Sequence, residues 1–292
     1  MARSLLLLLL GVFACSTAAV MIKASATHPF VLSAVRLLLA GALLTPLFLR
    51  EHRKHRDALP AGWLKCTTLP ALVLAAHFIS WAYGARMTLT AQASLIVNLA
   101  PVALPFFLWW LMDERINRRE VVGTVLALAG VVVLSAKDAF SGGGDVAGNF
   151  VCFASMLVFA WYLALGRRNR DVPSLWLYVV PVYWQAAVIC SLAALPWAGT
   201  LDVGSTREWT LLVGLAVVPT IIGHSLLNLA MRALRGQLVS LCNVGQFVFA
   251  GLMAWGLFGE APAAIFYAAA TLVVAGVALV VWSAPSPPPR MR

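Results

Sequence analysis

Two histidines, His77 and His224, are the only imidazoles within the long apolar segments of this chain. An imidazole with an ordinary pKa of about 6.5 changes charge near neutral pH, so either ring could carry or sense a proton. The alternative is that each is a neutral hydrogen-bonding group in a wet cavity. All eleven acidic residues fall in predicted loops or at predicted helix ends. A carboxylate proton relay inside these segments is therefore not expected.

Polar and aromatic residues recur at helical spacing near both histidines. His77 and Trp81 lie four residues apart, as do His224 and Asn228, and side chains at this spacing share one face of a helix. A polar face turned toward lipid would be left unsatisfied, so these faces are expected to point into a helix bundle. A cavity lined in this way suits a neutral or zwitterionic solute, often with an aromatic part. The predicted solute contacts are His77, Trp81, Asn98, Trp161, Tyr162, Trp184, Gln185, His224, Asn228, Asn243 and Gln246.

For any one of these residues, the alternative is a structural hydrogen bond between helices. Two basic residues present a similar choice. Lys23 closes the first apolar segment, and Arg36 lies about 10 Å into the second at 1.5 Å per residue. Either could act as a gate or contact a substrate carboxylate, and either could instead tie helix ends together. The five cysteines have no metal-ligand spacing, so they are expected to be apolar fillers, with neither a metal nor a cofactor.

The composition indicates that most of the chain lies in an apolar environment. Hydrophobic residues make up 62% of the 292 positions, charged residues 11%, and the mean hydropathy is +0.89. A soluble protein of this size could not cover so much apolar surface. We predict an all-α integral membrane fold with ten transmembrane helices, in the windows 4–22, 29–49, 62–85, 92–112, 119–136, 148–166, 174–197, 209–231, 238–258 and 262–282.

The net charge of +10 is explained by the predicted topology, so no nucleic-acid partner is expected. If the loops alternate sides, most of the 21 basic residues fall on one side of the membrane. Five fall on the other side: Lys23, Arg36, Arg86, Lys137 and Arg207. Because Lys and Arg concentrate in cytoplasmic loops, both termini are predicted to be cytoplasmic.

The second half of the chain repeats the first. A shift of 146 positions superimposes five identical pairs: Arg86 and Arg232, Ser94 and Ser240, Trp109 and Trp255, Glu114 and Glu260, and Gly130 and Gly276. Five spans in each half would force opposite orientations, which predicts two inverted repeats around a central cavity. The predicted units are a first repeat at 1–140, an outer linker at 141–147, a second repeat at 148–284 and a disordered cytoplasmic tail at 285–292. Inverted repeats are typical of carriers, which alternate access to one site.

Two further patterns bear on the arrangement. The first apolar segment also resembles a cleavable signal or lipoprotein peptide, but Phe13 fits cleavage poorly and removal of the segment would break the repeat. Small residues seven apart, Gly123 and Gly130, have matching small residues at Ala269 and Gly276. They predict close helix packing within a scaffold or a dimer.

A resemblance to a known family covers nearly the whole chain. It is carried by Pro29-Phe30 leading to Arg36 in the second span, Leu95 to Pro101 in the fourth, and Glu114 or Glu260 followed by a glycine-containing helix. In this layout the chain resembles the EamA branch of the drug/metabolite transporter (DMT) superfamily, and within it the YddG-type amino-acid exporters of bacterial inner membranes. The resemblance implies a basket of ten helices around a central cavity that exports neutral or aromatic amino acids. Pro101 stands opposite Phe247, so the halves are not expected to contribute equally to the site.

The predicted function is a solute carrier of the inner membrane that moves small amphipathic metabolites outward by alternating access. Because no acid lies inside the spans, we expect a facilitator, working as a monomer or homodimer with a small-molecule substrate. One alternative is a multidrug or nucleobase exporter with histidine-linked proton antiport. Another is a membrane-embedded enzyme that uses His77 or His224 as a base, although neither histidine has an acidic partner nearby in sequence.

Overall fold

The computed structural model describes residues 2–88, 93, 96–97, 99–139, 146–202, 204–246, 248–249, 252–253 and 264–283. Within these ranges all regular structure is helical, and no strand occurs. The longer helices are α1 (Ala2–Ser16), α2 (Ala18–Ala24), α3 (Pro29–Lys54), α4 (Lys65–Met87), α5 (Ala100–Met112), α6 (Arg118–Ala139), α7 (Val146–Arg168), α8 (Leu175–Ala194), α9 (Thr206–Leu215), α10 (Ser225–Ala233), α11 (Gly236–Val244) and α12 (Ala264–Ser283). Short 3₁₀-helices occupy Arg56–Ala58 and Leu195–Thr200. The predicted all-α fold is confirmed for this part of the chain.

Seven helical stretches in the described ranges are long and apolar enough to cross a membrane, by length and composition alone. They are Arg3–Ala24, Pro29–Lys54, Lys65–Met87, Val146–Arg168, Leu175–Thr200, Thr206–Ala233 and Ala264–Trp282. Each overlaps one of the ten predicted windows. The fourth window contains the shorter apolar helix α5, α6 covers the fifth, and α11 covers the start of the ninth. The prediction of multiple apolar spans is confirmed, whereas the count of ten is matched only in part.

The predicted boundaries between the repeats fall close to helix ends. Helix α6 ends at Ala139, and α7 begins at Val146, two residues before the predicted start of the second repeat. Residues 141–145 of the predicted linker and the predicted tail at 285–292 lie outside the described residues.

Large apolar side chains cover the outer faces of the bundle. Phe106 is 60% exposed, Trp110 is 61% exposed and Phe150 is 71% exposed. Such a surface is costly in water but matches the hydrocarbon of a bilayer.

Small residues allow two helices of opposite halves to approach closely. Helix α6 packs along α12, where a Cβ on Gly123 would lie 2.7 Å from the Gly276 carbonyl oxygen. A Cβ on Gly130 would lie 2.6 Å from the Ala269 carbonyl oxygen. The predicted small-residue faces therefore pack on each other within one chain, as a scaffold.

Two further pairs of helices approach closely where a glycine meets a cysteine. Helix α4 packs on α7 with Gly84 against Cys152, whose Sγ would lie 2.8 Å from an added Cβ. Helix α1 packs on the helix of span Thr206–Ala233, with Cys15 against Gly223 at 2.6 Å. All five cysteines are free, and both of these are buried. They act as small apolar residues at glycine contacts.

The span Thr206–Ala233 changes helix type halfway. Between α9 and α10, residues Ala216–His224 form a π-helix that contains Pro219. Proline has no N–H to donate, so the regular hydrogen-bond ladder is interrupted there. The Thr220 hydroxyl donates to the Leu215 carbonyl oxygen, five residues earlier, at 2.7 Å. π-Helical segments frequently occur at functional sites, and this one borders a cavity.

Candidate functional site

A small cavity lies between side chains of both predicted repeats. Its volume is about 70 Å³, and its described lining is Cys15, Ser16, Ala18, Ala19, Arg36, His77, Phe78, Trp81, Val97, Phe159, Pro219, His224, Asn243 and Gln246. This volume admits several water molecules. Ligand pockets typically measure about 300–1,000 Å³, so the walls must separate before a whole solute can enter.

The structure brings six of the predicted contacts to this cavity: Arg36, His77, Trp81, His224, Asn243 and Gln246. They come from α3, α4, the π-helix, α11 and the residues just after α11. Both halves of the sequence therefore contribute residues to the lining.

His77 is held firmly from α7. Its Nδ1 lies 3.0 Å from Ser155 Oγ and 3.2 Å from the Ser155 carbonyl oxygen. Its ring stacks on Phe159, with the ring centroids 4.7 Å apart. Hydrogen bonding on one side and stacking on the other fix the orientation of this imidazole in the cavity wall.

His224 has fewer polar contacts. Its ring lies 6.2 Å from that of His77, and the edge of Phe78 packs on it with the centroids 4.9 Å apart. Its Nδ1 is buried and has no hydrogen-bond partner among the described residues. A buried polar atom without a partner costs free energy unless water or a ligand satisfies it.

Arg36 is the charged group of the described lining, and only 1% of it is exposed. Nε and Nη2 both donate to Thr220 Oγ1, at 3.0 and 2.8 Å. The guanidinium lies over the Phe78 ring, 4.1 Å from its centroid, a cation–π arrangement. None of the described acidic side chains forms an ion pair with it.

The amides Asn243 and Gln246 form a polar pair in the cavity lining. Gln246 Nε2 donates to Asn243 Oδ1 at 2.6 Å. The i, i+3 spacing that grouped them in the sequence thus also joins them by a hydrogen bond. The described lining thus combines polar groups with the aromatic rings of Phe78, Trp81 and Phe159.

Four predicted contacts lie behind or away from the cavity lining. Tyr162 and Asn228 bond to each other, with Asn228 Nδ2 donating to the tyrosine oxygen at 2.7 Å. Gln185 donates to Thr67 Oγ1 at 2.7 Å. Trp184 is 38% exposed and donates to Thr45 Oγ1 at 3.0 Å, so it joins α8 to α3 on an outer face.

Three further predicted residues complete the set. Trp161 stacks on Phe107 with the ring centroids 6.1 Å apart, outside the cavity lining, and its Nε1 has no partner among the described residues. Asn98 lies outside the described residues. Lys23 donates to the Thr88 carbonyl oxygen at 3.5 Å.

Sequence reasoning missed Phe78, Ser155, Phe159 and Thr220. Ser155, Phe159 and Tyr162 follow one another at i, i+4 and i+7 in α7, so helical spacing could have grouped the first two with the predicted Tyr162. No pattern in the sequence signals Thr220, because its position depends on the π-helix. Its contact with Arg36 arises only when α3 packs on that segment.

Paired charges gather at one end of the bundle, in a group that we call the Glu114 cluster: Glu114, Glu120, Arg167 and Arg235. Arg167 Nε donates to Glu114 Oε2 at 3.0 Å, and Arg235 forms a bidentate pair with Glu120. Its hydrogen bonds to Glu120 raise the pKa of Arg235 above its ordinary value. Both arginines in this cluster have a carboxylate partner.

The opposite end of the bundle holds a different polar group. Arg167 and Asn149 stand near the two ends of α7, about 27 Å apart at 1.5 Å per residue. Asn149 contacts Thr88, the residue that accepts from Lys23. Near this end Glu208 is 4% exposed and accepts from Ser25 Oγ at 2.6 Å and from the Ala26 N–H at 3.0 Å. The acids of the described chain thus lie in loops or near helix ends, as predicted, and none of them lines the cavity.

Comparison with known proteins finds the internal repeat and relatives that are transporters. The family model of the EamA-like transporter family matches twice, over residues 2–136 and 146–282. An uncharacterized transporter of Archaeoglobus fulgidus is 26% identical over 204 residues, which cover 70% of this chain and 71% of that protein. The aromatic amino acid exporter YddG of Ancylobacter novellus is 26% identical over 212 residues, 70% of each chain.

A protein of known crystal structure has the same fold. The two structures superpose with a TM-score of 0.80 over 97% of this chain and 98% of the other, at 22% sequence identity. Two family matches that together span nearly the whole chain, apolar helices long enough to cross a bilayer and relatives named as transporters lead to one conclusion. The chain belongs to the EamA-like transporter family of the drug/metabolite transporter superfamily and is a multi-pass membrane transporter.

Proposed function

We propose that this transporter exports small neutral or aromatic amino acids and related metabolites by alternating access through the cavity between its two halves. The observation that carries the proposal is the lining itself. Two histidines, three aromatic residues and an amide pair surround the single cation of the described wall. An amphipathic zwitterion would find both polar and aromatic partners there, whereas a polyanion would need several convergent cations. The similarity to an exporter of aromatic amino acids supports the same substrate class.

We infer that the fold comprises ten spans in two inverted five-helix repeats. Contacts that occur once in each half support this. Lys23 donates to the Thr88 carbonyl oxygen, and Arg167 donates to the Leu234 carbonyl oxygen at 2.6 Å, at positions shifted by 144 and 146 residues. The two glycine–cysteine contacts described above relate the halves at the level of helices, because α1 packs on the span Thr206–Ala233 of the other half as α7 packs on α4. Equivalent half-structures of this kind allow one site to be exposed to either side in turn.

The proposed solute contacts are His77, Trp81, His224, Asn243 and Gln246, with Arg36. Tyr162 and Asn228 support the cavity from behind through their mutual hydrogen bond. Both halves of one chain contribute to the cavity lining. The proposal therefore applies equally to a monomer and to each subunit of a homodimer.

For coupling, we propose facilitated diffusion down the gradient of the solute, since no acidic side chain is part of the described lining. One observation favours histidine-linked proton antiport as a second candidate. The His77 and His224 rings lie 6.2 Å apart, and the buried Nδ1 of His224 has no partner among the described residues. A proton could be held at such a pair.

The proposed location is the bacterial inner membrane with both termini in the cytoplasm, as the distribution of Lys and Arg predicts. In that orientation the Glu114 cluster lies on the cytoplasmic side, and Lys23 and Glu208 lie on the outer side.

The proposal is tested by uptake of radiolabelled amino acids into proteoliposomes that contain the purified protein, with and without an imposed pH gradient. We expect saturable uptake of phenylalanine or leucine that does not depend on the pH gradient. The double variant His77→Gln, His224→Gln should lower the rate about tenfold or more, because two hydrogen-bonding groups of the path are altered at about 1 kcal/mol each.

The matched control is Arg50→Gln, a change at an exposed position of α3 outside the cavity, which should leave uptake unchanged. Accumulation that requires the pH gradient would replace the facilitator with proton antiport. Uptake no greater than in empty liposomes for every amino acid would refute the substrate class and direct the assay to drugs and nucleobases.

A further inference from the structure

We propose that Arg36, held in place by Thr220, forms a subsite for a free carboxylate, by which the transporter distinguishes carboxylates from neutral analogues of the same shape. This inference rests on the proposed function of the cavity as the solute path. It adds to that function a defined chemical group on the substrate, the arginine that binds this group and the threonine that positions the arginine.

The first argument is the missing counter-charge. Arg36 is 1% exposed, and the described acidic side chains form their ion pairs elsewhere. An arginine stays protonated under all ordinary conditions, so its charge cannot be removed by burial. A buried charge that interacts only with a hydroxyl and an aromatic ring is poorly compensated. An anion in the cavity would supply the missing partner.

The second argument is the geometry of the guanidinium. Nε and Nη2 donate to the same oxygen, Thr220 Oγ1, which occupies one edge of the planar group. Nη1 makes no hydrogen bond to a described residue, and Nη2 has a second N–H. The edge formed by Nη1 and Nη2 is therefore available, and two parallel N–H groups on one edge match the two oxygens of a carboxylate.

The third argument is the support behind this arginine. Thr220 Oγ1 donates its proton to the Leu215 carbonyl oxygen at 2.7 Å, so its lone pairs are directed to Arg36. Tyr183 in turn donates to the Thr220 carbonyl oxygen at 3.1 Å. Phe78 supports one face of the guanidinium. Thr220 is thus a positioning residue, because it holds the guanidinium in a fixed orientation without reaching the solute itself.

The remaining part of a bound carboxylate would meet aromatic groups. Phe78, Trp81 and Phe159 belong to the same lining as Arg36. A small acid with an aromatic or aliphatic side chain can therefore place its charge at Arg36 and its apolar part against these rings. Phosphates and dicarboxylates fit less well, since no second cation is part of the described lining.

The test uses two probes of nearly equal shape, phenylacetate and its neutral analogue phenylacetamide. Both are titrated against the purified full-length protein, and binding is followed by the shift in thermal unfolding. We expect phenylacetate to bind about tenfold more tightly than phenylacetamide, as for a hydrogen bond to a charged group. In Arg36→Gln both probes should bind equally. Thr220→Ser should keep the preference and Thr220→Val should weaken it, with Arg50→Gln as the matched loss of an exposed charge on the same helix.

Equal binding of the two probes by the wild type, or an undiminished preference in Arg36→Gln, would overturn the proposal. A purely structural arginine would change the melting temperature without changing the ratio of the two affinities. Phenylalanine and phenylalaninamide are then compared in the liposome assay. Discrimination in the binding assay without any amino-acid uptake would refute the proposed function and leave the subsite standing. Amino-acid uptake without discrimination between the two probes would support the proposed function and refute the subsite.

Discussion

Two buried arginines of this protein have opposite surroundings. Arg167 is 8% exposed, donates to Glu114 at 3.0 Å and also donates to the Met231 and Leu234 carbonyl oxygens. Arg36 is 1% exposed and, among the described residues, donates only to the Thr220 hydroxyl. The first charge is compensated within the protein and joins α7 to the loops at one end of the bundle. The second retains unused donors and borders the cavity.

We therefore expect the two arginines to differ in role: one contributes to stability and the other to solute binding. A cation with a full set of protein partners is expected to contribute to folding, and its loss leaves a carboxylate and carbonyl groups unsatisfied. A cation with too few partners contributes little to folding, or opposes it, and is free to bind a solute. The comparison predicts a graded series of effects on the free energy of unfolding.

The largest effect is expected for Arg167→Ala. This change leaves Glu114 without its partner, together with two carbonyl oxygens that accepted from the arginine. Breaking a buried ion pair on one side typically costs about 3–5 kcal/mol, and because both side chains keep some exposure we expect about 3 kcal/mol. Unfolding of the purified protein in mixed micelles measures it. If this variant had the same free energy of unfolding as the wild type, the Glu114 cluster would not be a stabilising element of the fold.

A smaller loss is expected for Glu120→Gln. Glu120 is 1% exposed, forms the bidentate pair with Arg235 and accepts from the Asn117 N–H at 2.9 Å. The amide keeps the shape and one acceptor but loses the charge, so the cost should be about 2 kcal/mol. The same unfolding assay applies, with Glu51→Gln in α3 as a partly exposed control. If Glu120→Gln lowered the free energy of unfolding no more than Glu51→Gln does, a structural role for the Glu120–Arg235 pair would be contradicted.

Ser155→Ala is expected to cost about 1 kcal/mol, the net value of one hydrogen bond. It removes the hydroxyl next to His77 Nδ1 but leaves the Ser155 carbonyl oxygen at 3.2 Å. His77 should therefore stay in place, and uptake should fall less than in His77→Gln. Loss of uptake as severe as in the histidine variant would show that the hydroxyl itself is needed on the path.

The smallest effect on stability is expected for Arg36→Gln, within about 0.5 kcal/mol of the wild type or slightly stabilising. No described carboxylate is left unpaired by this change, and Thr220 keeps its bond to Leu215. Transport should nevertheless be lost. If Arg36→Gln destabilised the protein as much as Arg167→Ala, the contrast between the two arginines would be refuted and Arg36 would be a structural residue.

Much of the fold could be predicted from the residues alone. Apolar segments of about 20 residues can hardly be anything but membrane helices, and they coincide with the long helices of the structure. The matching small residues of the two halves also predicted close helix packing, which α6 and α12 show at Gly123 and Gly276. The histidine pair was predicted as part of the cavity, since it recurs once in each half.

The cavity lining could be predicted only in part. Helical spacing shows which residues share a face, but it does not show whether that face meets lipid, another helix or a cavity. Trp81 and Trp184 both stand in apolar helices, yet Trp81 lines the cavity and Trp184 lies 38% exposed on the outer surface. In a membrane, the lipid and the protein interior are equally apolar, so composition does not distinguish them.

Composition and order along the chain were thus sufficient for the membrane environment, the all-helical class and the internal repeat, because each depends on the length and spacing of apolar residues. The partners of individual polar groups were decided by tertiary packing. Arg36 meets Thr220 across 184 positions of sequence, and it does so because a π-helix turns the threonine toward α3. Hydrogen bonding is short-ranged and directional, so only the packed structure could determine which arginine is paired and which remains available to a solute.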